Sequence, residues 1–272
     1  MSLESILFWG EIASAPDPLQ VVAPSVRAFV GDLVLVSANV CTLHPAEEHT
    51  LGMVSARRLS LIESFRRAGA SIVGVQEARG KFKCKRWVED FYVVASASDK
   101  GHGGMELWIS SDLHPDPGSV SVLVSEPRRL CVNLDLGSVR LQVLVLHVPD
   151  SGSVLFGSDA QVSQWWEVTR SLANKFKSMS RDRVVLIDSN DYVGSEQSDA
   201  IGGKQGTEQN HRGKCFHEAL LSWGLAVPST FYECPNGGKT WFDRQGKGRG
   251  HRIDFVCVSL VSGSPMFGPR VP

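Results

Sequence analysis

The chain has 272 residues, 42% of them hydrophobic and 21% charged, with a formal net charge of −1 and a pI near 6.7. Such values exclude a disordered or low-complexity chain, leave room for one large or two small domains, and lack the overall basic excess of a dedicated nucleic-acid binder. Six scattered cysteines, Cys41, Cys84, Cys131, Cys215, Cys234 and Cys257, form no C-x-x-C pair, so neither a zinc-ligand spacing nor a disulfide framework is encoded.

In chain order, residues 1–30 read as a loosely structured leader. MSLESILFWGEIAS has no early Lys or Arg and only a short apolar run, which argues against a secretory signal. No apolar run approaches the ~18 residues of a membrane span. Leu33 to Ala38 (LVLVSA) then reads as a strand running into Asn39. Val54 to Ala68 reads as a helix with Leu59, Ile62, Phe65 and Arg66 at helical spacing and Gly69 as its stop. Ser71 to Gln76 (SIVGVQ) is a strand ending in Gln76-Glu77. Further strands follow at Phe91–Ala95, Met105–Ile109, Val120–Val124, Leu130–Leu134 and Val139–His147, each rich in β-branched residues. Asp159 to Lys177 is a helix with Val162, Trp165, Trp166, Thr169 and Leu172 on one side. In VVLIDSND, Val184 to Ile187 are continuously apolar, the mark of a strand covered on both faces. Asp191, at the end of that stretch, reads as loop. A helix over His211–Trp223 stops at Gly224, and Ile253 to Val258 form the last strand.

Many strands with a few interspersed helices point to one α/β domain over residues 31–260, a two-layer β-sandwich flanked by helices, with 261–272 as an irregular tail. Leu130–Leu134 and Val139–His147, joined through DLGS, form an antiparallel pair and argue against an all-parallel sheet. Cys41, Cys131 and Cys257 lie in or beside apolar runs and read as buried reduced thiols, which favours an intracellular, nuclear or cytoplasmic protein over a secreted one. Local basic patches occur at Arg57-Arg58, Arg66-Arg67, Lys81 to Arg86 and Arg244 to Arg252. The first two read as solvated surface charge.

Strand after strand ends in a polar residue: Asn39, Glu77, His147, Asp188 with Asn190, and Asp254 near the start of the last strand. One such ending is an ordinary loop exit. Several in one chain would meet at one end of the sandwich if the strands converge. Mg²⁺, or Mn²⁺ in its place, is a hard ion that needs only one or two carboxylates plus water and phosphate oxygens. A second carboxylate can orient and activate water, and a histidine can donate to a phosphate oxygen.

SANVCTL (37–43), IVGVQEAR (72–79), GGMELWIS (103–110), LVLHVPDSG (144–152), VVLIDSNDY (184–192), KTWFDRQG (239–246) and HRIDFVCVS (251–259) follow the order of motifs in a known superfamily. In these stretches the sequence resembles the endonuclease/exonuclease/phosphatase, or DNase I-like, superfamily. The endonuclease domains of non-LTR retrotransposons are nearest in flavour. The resemblance implies a four-layer α/β/β/α sandwich and a Mg²⁺-dependent phosphodiester hydrolase, a monomer that nicks DNA. A phosphatase or phospholipase of the same fold is the alternative enzyme, and a non-catalytic nucleic-acid or metal-binding protein the alternative outside catalysis. By resemblance, Glu77 is the principal metal ligand and Asn39 assists at the metal. Asp188 orients and activates the attacking water, and Asn190 contacts the scissile phosphate. His147 stands near the phosphate or leaving group, with Asp150 as its polar neighbour. Thr240 and Trp241 match a Thr-Trp pair, Asp254 an Arg-Ile-Asp segment, and Arg252 touches backbone phosphate or forms a structural ion pair.

The family pattern continues with a Ser-Asp-His motif shortly after the Arg-Ile-Asp strand. Here IDFVCVS is followed by LVSGSPMFGPRVP, with no Asp or His after Asp254. The expectation is that the closing strand and its catalytic histidine are missing, through a shortened reading frame. A pseudo-enzyme, or substitution by His147 or His251, are the alternatives. Loss of a catalytic base lowers rate by ~10²–10⁴.

Overall fold

The strands carry apolar side chains on both faces, so each sheet must be covered on both sides. The computed structural model of the protein describes residues 33–43, 54–150, 158–177, 180–204, 206–234, 238–240 and 250–259, and the backbone of 25–30. Its first sheet contains β1 (Ser25–Val30), β2 (Leu33–Asn39), β3 (Ile72–Gln76), β4 (Cys84–Val88), β5 (Phe91–Ala95) and β6 (Glu106–Ser110), in the order β1-β2-β3-β6-β5-β4. The second contains β7 (Val120–Glu126), β8 (Arg129–Leu136), β9 (Val139–His147), β10 (Asp182–Asp188), β11 (Leu225–Ala226) and β12 (Asp254–Ser259), in the order β11-β12-β10-β9-β8-β7. The parallel pairs are β2 with β3 and β9 with β10. Parallel neighbours need a long crossover, and α1 (Ala56–Arg67) and α2 (Asp159–Lys175) supply them. A third helix, α3 (His211–Trp223), ends at Gly224 in the left-handed conformation that glycine adopts without steric cost.

Alternation along the strands sorts the core into three slabs. Leu35, Ile72, Leu107, Val143, Val145, Val184, Leu186 and Val256 meet between the sheets. Val36, Val73, Val75 and Trp108 face outward onto Ile62 and Phe65 of α1. Leu144, Val185, Ile187 and Phe255 face outward onto Trp165 and Trp166 of α2 and Phe216 of α3. Three slabs separate four layers, α/β/β/α, as expected. Gly74 sets the sheet spacing locally, since a Cβ there would lie 2.5 Å from Leu186 Cβ.

Three readings change. Ser25–Val30, placed in the leader by composition, is a strand that pairs antiparallel with β2, with Val30 opposite Leu33 across two intervening residues; the remainder of that leader, 1–24, and the tail 261–272 lie outside the described residues. Cys84–Val88, read only as basic charge, is the edge strand β4. The buried stripe of α1 is Arg58, Leu61, Ile62 and Phe65, whereas Leu59 is 42% exposed. The cause is one ion pair. The Arg58 guanidinium donates to both oxygens of Glu106, at 2.6 and 3.0 Å, and Trp108 Nε1 donates to the same carboxylate at 2.7 Å. Arg58 and Glu106 are both buried, so each charge depends on the other. Arg66 and Arg67 do remain at the surface, paired with Glu63.

Removing one partner of a buried pair leaves an uncompensated charge. Glu106→Ala is expected to lower the unfolding free energy by about 3–5 kcal/mol, measured by urea denaturation. A change comparable to that of Glu63→Ala, which breaks only exposed pairs, would contradict this account.

Candidate active site

The polar strand ends share one parity. Asn39 continues the inward-facing row of Leu33 and Leu35, and Gln76 that of Ile72 and Gly74. His147 continues the row of Val143 and Val145, Asp188 that of Val184 and Leu186, and Asp254 begins that of Val256 and Val258. Each therefore points between the sheets, where the apolar slab ends. Register brings them side by side: Asn39 pairs with Gln76, and Asp188 lies between His147 on one side and Asp254 on the other. Glu77 follows Gln76 directly.

Asp188 is the centre, with no exposed surface. Asn39 Nδ2 donates to its Oδ2 at 2.6 Å, and the backbone N–H of Asn190 donates to Oδ1 at 3.0 Å. Asn39 Nδ2 also reaches Glu77 Oε1 at 3.5 Å, so one amide links the ends of both sheets. The amide orientation follows from its other side: the Cys41 backbone N–H, which can only donate, lies 2.9 Å from Asn39 Oδ1. Asn39 thus turns its nitrogen to the carboxylates. An amide nitrogen is no direct ligand for a hard cation, and in this orientation Asn39 holds the two carboxylates.

His147 is buried, and burial together with Arg128 pushes its pKa down to about 3, so the ring is neutral. Arg128 sits 3.1 Å from Nδ1, and a guanidinium can only donate. Nδ1 therefore accepts and Nε2 carries the proton. That Nε2 lies 3.4 Å from Glu77 Oε1 and 3.7 Å from Asp188 Oδ2, yet closes no hydrogen bond and is buried. Arg128 was not singled out from sequence. Its place beside the Arg129 that starts β8, facing the end of β9, is its only signal, and that depends on pairing. Arg79, donating to Glu77 Oε2 at 2.9 Å, was likewise missed. Asp150 is half-buried and its charge acts on both Arg128 and His147.

Asp254 is buried beside Asp188, and burial, then the Asp188 charge, raises its pKa well above the carboxylate range. Thr240 Oγ1 accepts from the Ile253 and Asp254 backbone N–H groups, both at 3.0 Å, and fixes the start of β12. Trp241 lies outside the described residues. Arg252 is not offered to a phosphate: its guanidinium is buried and donates to the carbonyls of Ser229 at 3.1 Å and Lys204 at 3.5 Å. His251 packs against Tyr192 in a tilted arrangement, with ring centroids 4.8 Å apart, while His147 is in the site. Asp191 is more than loop. It is buried and accepts from Asn210, the N-cap residue of α3, at 2.9 Å. Cys41, expected to be buried, is exposed where the chain turns out of β2; Cys131 and Cys257 are buried.

Glu77, Arg79, Cys41 and Asn190 all hold left-handed backbone, with φ of 54°, 59°, 57° and 50°. Non-glycine residues rarely do so, and such conformations gather where surrounding structure enforces them. Here they turn the chain sharply at the ends of β2, β3 and β10.

Can this set hold a divalent cation? Among the described residues no three His, Cys, Asp or Glu side chains form a ready cage. Mg²⁺ does not require one. The donors present are hard carboxylate oxygens of Glu77 and Asp188, bridged by one Asn amide. Burial raises the pKa of Asp188 to about 7 despite the Asn39 and Asn190 hydrogen bonds, and the Glu77 charge adds to it. The Glu77 and Asp188 oxygens, with the orphaned Oδ1 of Asp254 beside them, are donors of the kind a small hard cation takes.

Two mixed six-stranded sheets between helices, with carboxylates and a histidine at one end of the sandwich, define the DNase I-like fold. Solved structures match it over most of the chain. An AP endonuclease from Archaeoglobus fulgidus is 19% identical with a TM-score of 0.54, covering 75% of this chain and 81% of the other. The endonuclease domain of TRAS1, a telomere-specific non-LTR retrotransposon, is 14% identical with a TM-score of 0.52, covering 83% and 84%. The 3' phosphatase NExo from Neisseria, bound to product DNA hairpin, is 19% identical with a TM-score of 0.52, covering 75% and 82%. No family model and no curated protein matches the sequence. At these identities the likeness is one of fold.

A raised carboxyl pKa favours the folded state while the group is protonated. The Asp188 contribution is therefore present at low pH and lost as pH rises from the ordinary carboxylate range to about 7. Asp188→Asn stays neutral throughout. In metal-free protein its stability relative to wild type is expected to rise across that window and level off above it. His147 titrates in the opposite sense but is common to both proteins and cancels. Urea unfolding at several pH values measures the difference; a difference independent of pH would rule out the raised pKa.

Proposed function

We propose that this protein is a divalent-metal-dependent phosphodiester hydrolase that nicks DNA, of the retroelement endonuclease type. The observation that carries the reading is the buried Asp188, held by Asn39 and flanked by Glu77 and the neutral Nε2–H of His147. Glu77, with Asp188 beside it, would hold Mg²⁺ or Mn²⁺. Such an ion neutralises phosphate charge and favours departure of the leaving oxygen.

The remaining roles belong to the chain. Asp188, with a pKa near neutrality, accepts the proton of the attacking water, and Asn39 aims its carboxylate. His147 keeps its Nε2–H because Arg128 occupies Nδ1, and donates to a phosphate oxygen. Asn190 has one Nδ2 hydrogen on the Val148 carbonyl at 2.8 Å and a second for phosphate. Asp254 stands beside Asp188 at the start of β12, its own pKa raised by burial and then by the Asp188 charge. Thr240 anchors that segment. In this reading His147 stands where a histidine is needed, and His251 does not.

The test is nicking of supercoiled plasmid with Mg²⁺, with and without chelator. Glu77→Ala and Asp188→Ala are each expected to slow nicking by ~10²-fold or more. Equal nicking by wild type and both variants would sink the assignment. Turnover of an inositol phosphate or sphingomyelin without nicking would favour a phosphatase or phospholipase. DNA or Mg²⁺ binding with no hydrolysis of any phosphoester would favour a binding protein.

A further inference from the structure

The run RGKFKCKRWV, residues 79–88, holds Arg79, Lys81, Lys83, Lys85 and Arg86 and no acid, in a chain whose net charge is −1. Such runs are commonly a solvated face. Two further observations separate this one. It displays Phe82, 62% exposed, and Trp87, 48% exposed, the most exposed aromatic rings among the described residues. Its first half, residues 79–84, also lies at the site end of the first sheet, from which β4 then runs away.

Register fixes the second point. Val75 of β3 is opposite Glu106 of β6, Glu106 is opposite Ala95 of β5, and Ala95 is opposite Cys84 of β4. Cys84 is thus level with Val75, two residues from Glu77, across three strand spacings, or about 14 Å. The connecting segment is pinned along the same rim. Ala78 N–H donates to Gly104 O, Arg79 N–H to Gly103 O, and Ser98 N–H to Gly80 O. Lys81, Phe82 and Lys83 therefore rise from the rim between the catalytic glutamate and the edge strand. Lys85 is committed elsewhere, donating to the Val120 carbonyl at 2.6 Å, and Trp87 leans on Tyr92 with ring centroids 5.3 Å apart.

We infer that this rim docks the unpaired DNA strand flanking the attacked phosphodiester, with Lys81 and Lys83 on phosphates and Phe82 stacked on a base. The inference rests on the DNA reading above and adds where the flank lies. A cation row with one exposed ring is the recurring means of holding a single strand without reading its sequence.

The probe is a fluorescent DNA duplex with a single-stranded overhang, titrated by anisotropy over a range of salt in the presence of chelator. Cleavage is then absent, and the result stands apart from nicking. Lys81→Ala/Lys83→Ala is expected to reduce the slope of log affinity against log salt by about 1.4, for two phosphates at ~0.7 each. Phe82→Ala should weaken overhang binding by roughly tenfold with the slope unchanged, and Phe82→Trp should restore it. Arg66→Ala/Arg67→Ala, at the other end of the sheet, should leave the slope as in wild type. Melting curves confirm that each variant is folded. An unchanged slope in the Lys81/Lys83 variant, equal loss in the Arg66/Arg67 control, or no DNA binding by wild type would overturn the inference. Altered binding in a protein that never nicks would uphold it while removing the hydrolase reading.

Discussion

The hydrogen bond between Asn39 and Asp188 joins the ends of two sheets through a carboxylate that has no contact with solvent. A buried carboxylate is costly unless it is paired or neutralised. Its position is therefore constrained from every side: Asn39 from β2, the Asn190 backbone from the loop beyond β10, His147 from β9 and Asp254 from β12. The same burial lifts its pKa to about 7 and makes it able to take a proton near neutral pH. Structural cost and chemical usefulness are here one property of one side chain.

Support for that arrangement comes from layers that never touch it. Arg58 and Glu106 lock α1 to the start of β6, one strand from the end of β3 that delivers Glu77. Gly74 allows Leu186 to approach β3 closely, and Gln76 donates to the Leu186 carbonyl at 3.2 Å. The sheets thus approach each other closely one inward-facing row beneath the site. A packed interior transmits small displacements, so the separation of Glu77 from Asp188 depends on these contacts as much as on the two residues themselves.

Much of this could be read from residue order. Continuous apolar runs marked strands covered on both faces, and α2 buries Trp165 and Trp166, which helical spacing picked out. The polar residues closing Leu33–Ala38, Val139–His147 and Val184–Ile187 pointed to one end of a sandwich, and Asn39, His147 and Asp188 do meet there. The misreadings of Arg58 and Asp191 share a cause. Arg58 looked like surface charge because its partner is 48 residues away, and Asp191 like loop because its partner Asn210 is 19 away. Charge in a sequence has no sign of burial until the opposite charge or donor is located.

Alone, the sequence determined the type of most elements, the four-layer class and the identity of the residues at the strand ends, because periodicity and strand-end polarity are local properties of the chain. Only the tertiary structure decided what those residues face. It turned the Asn39 nitrogen inward, chose the His147 tautomer through Arg128, withdrew Arg252 into carbonyl contacts, and set Lys81, Phe82 and Lys83 on the rim beside Glu77. Each of these depends on a partner distant in sequence, and strand register and sheet packing determine which partner that is.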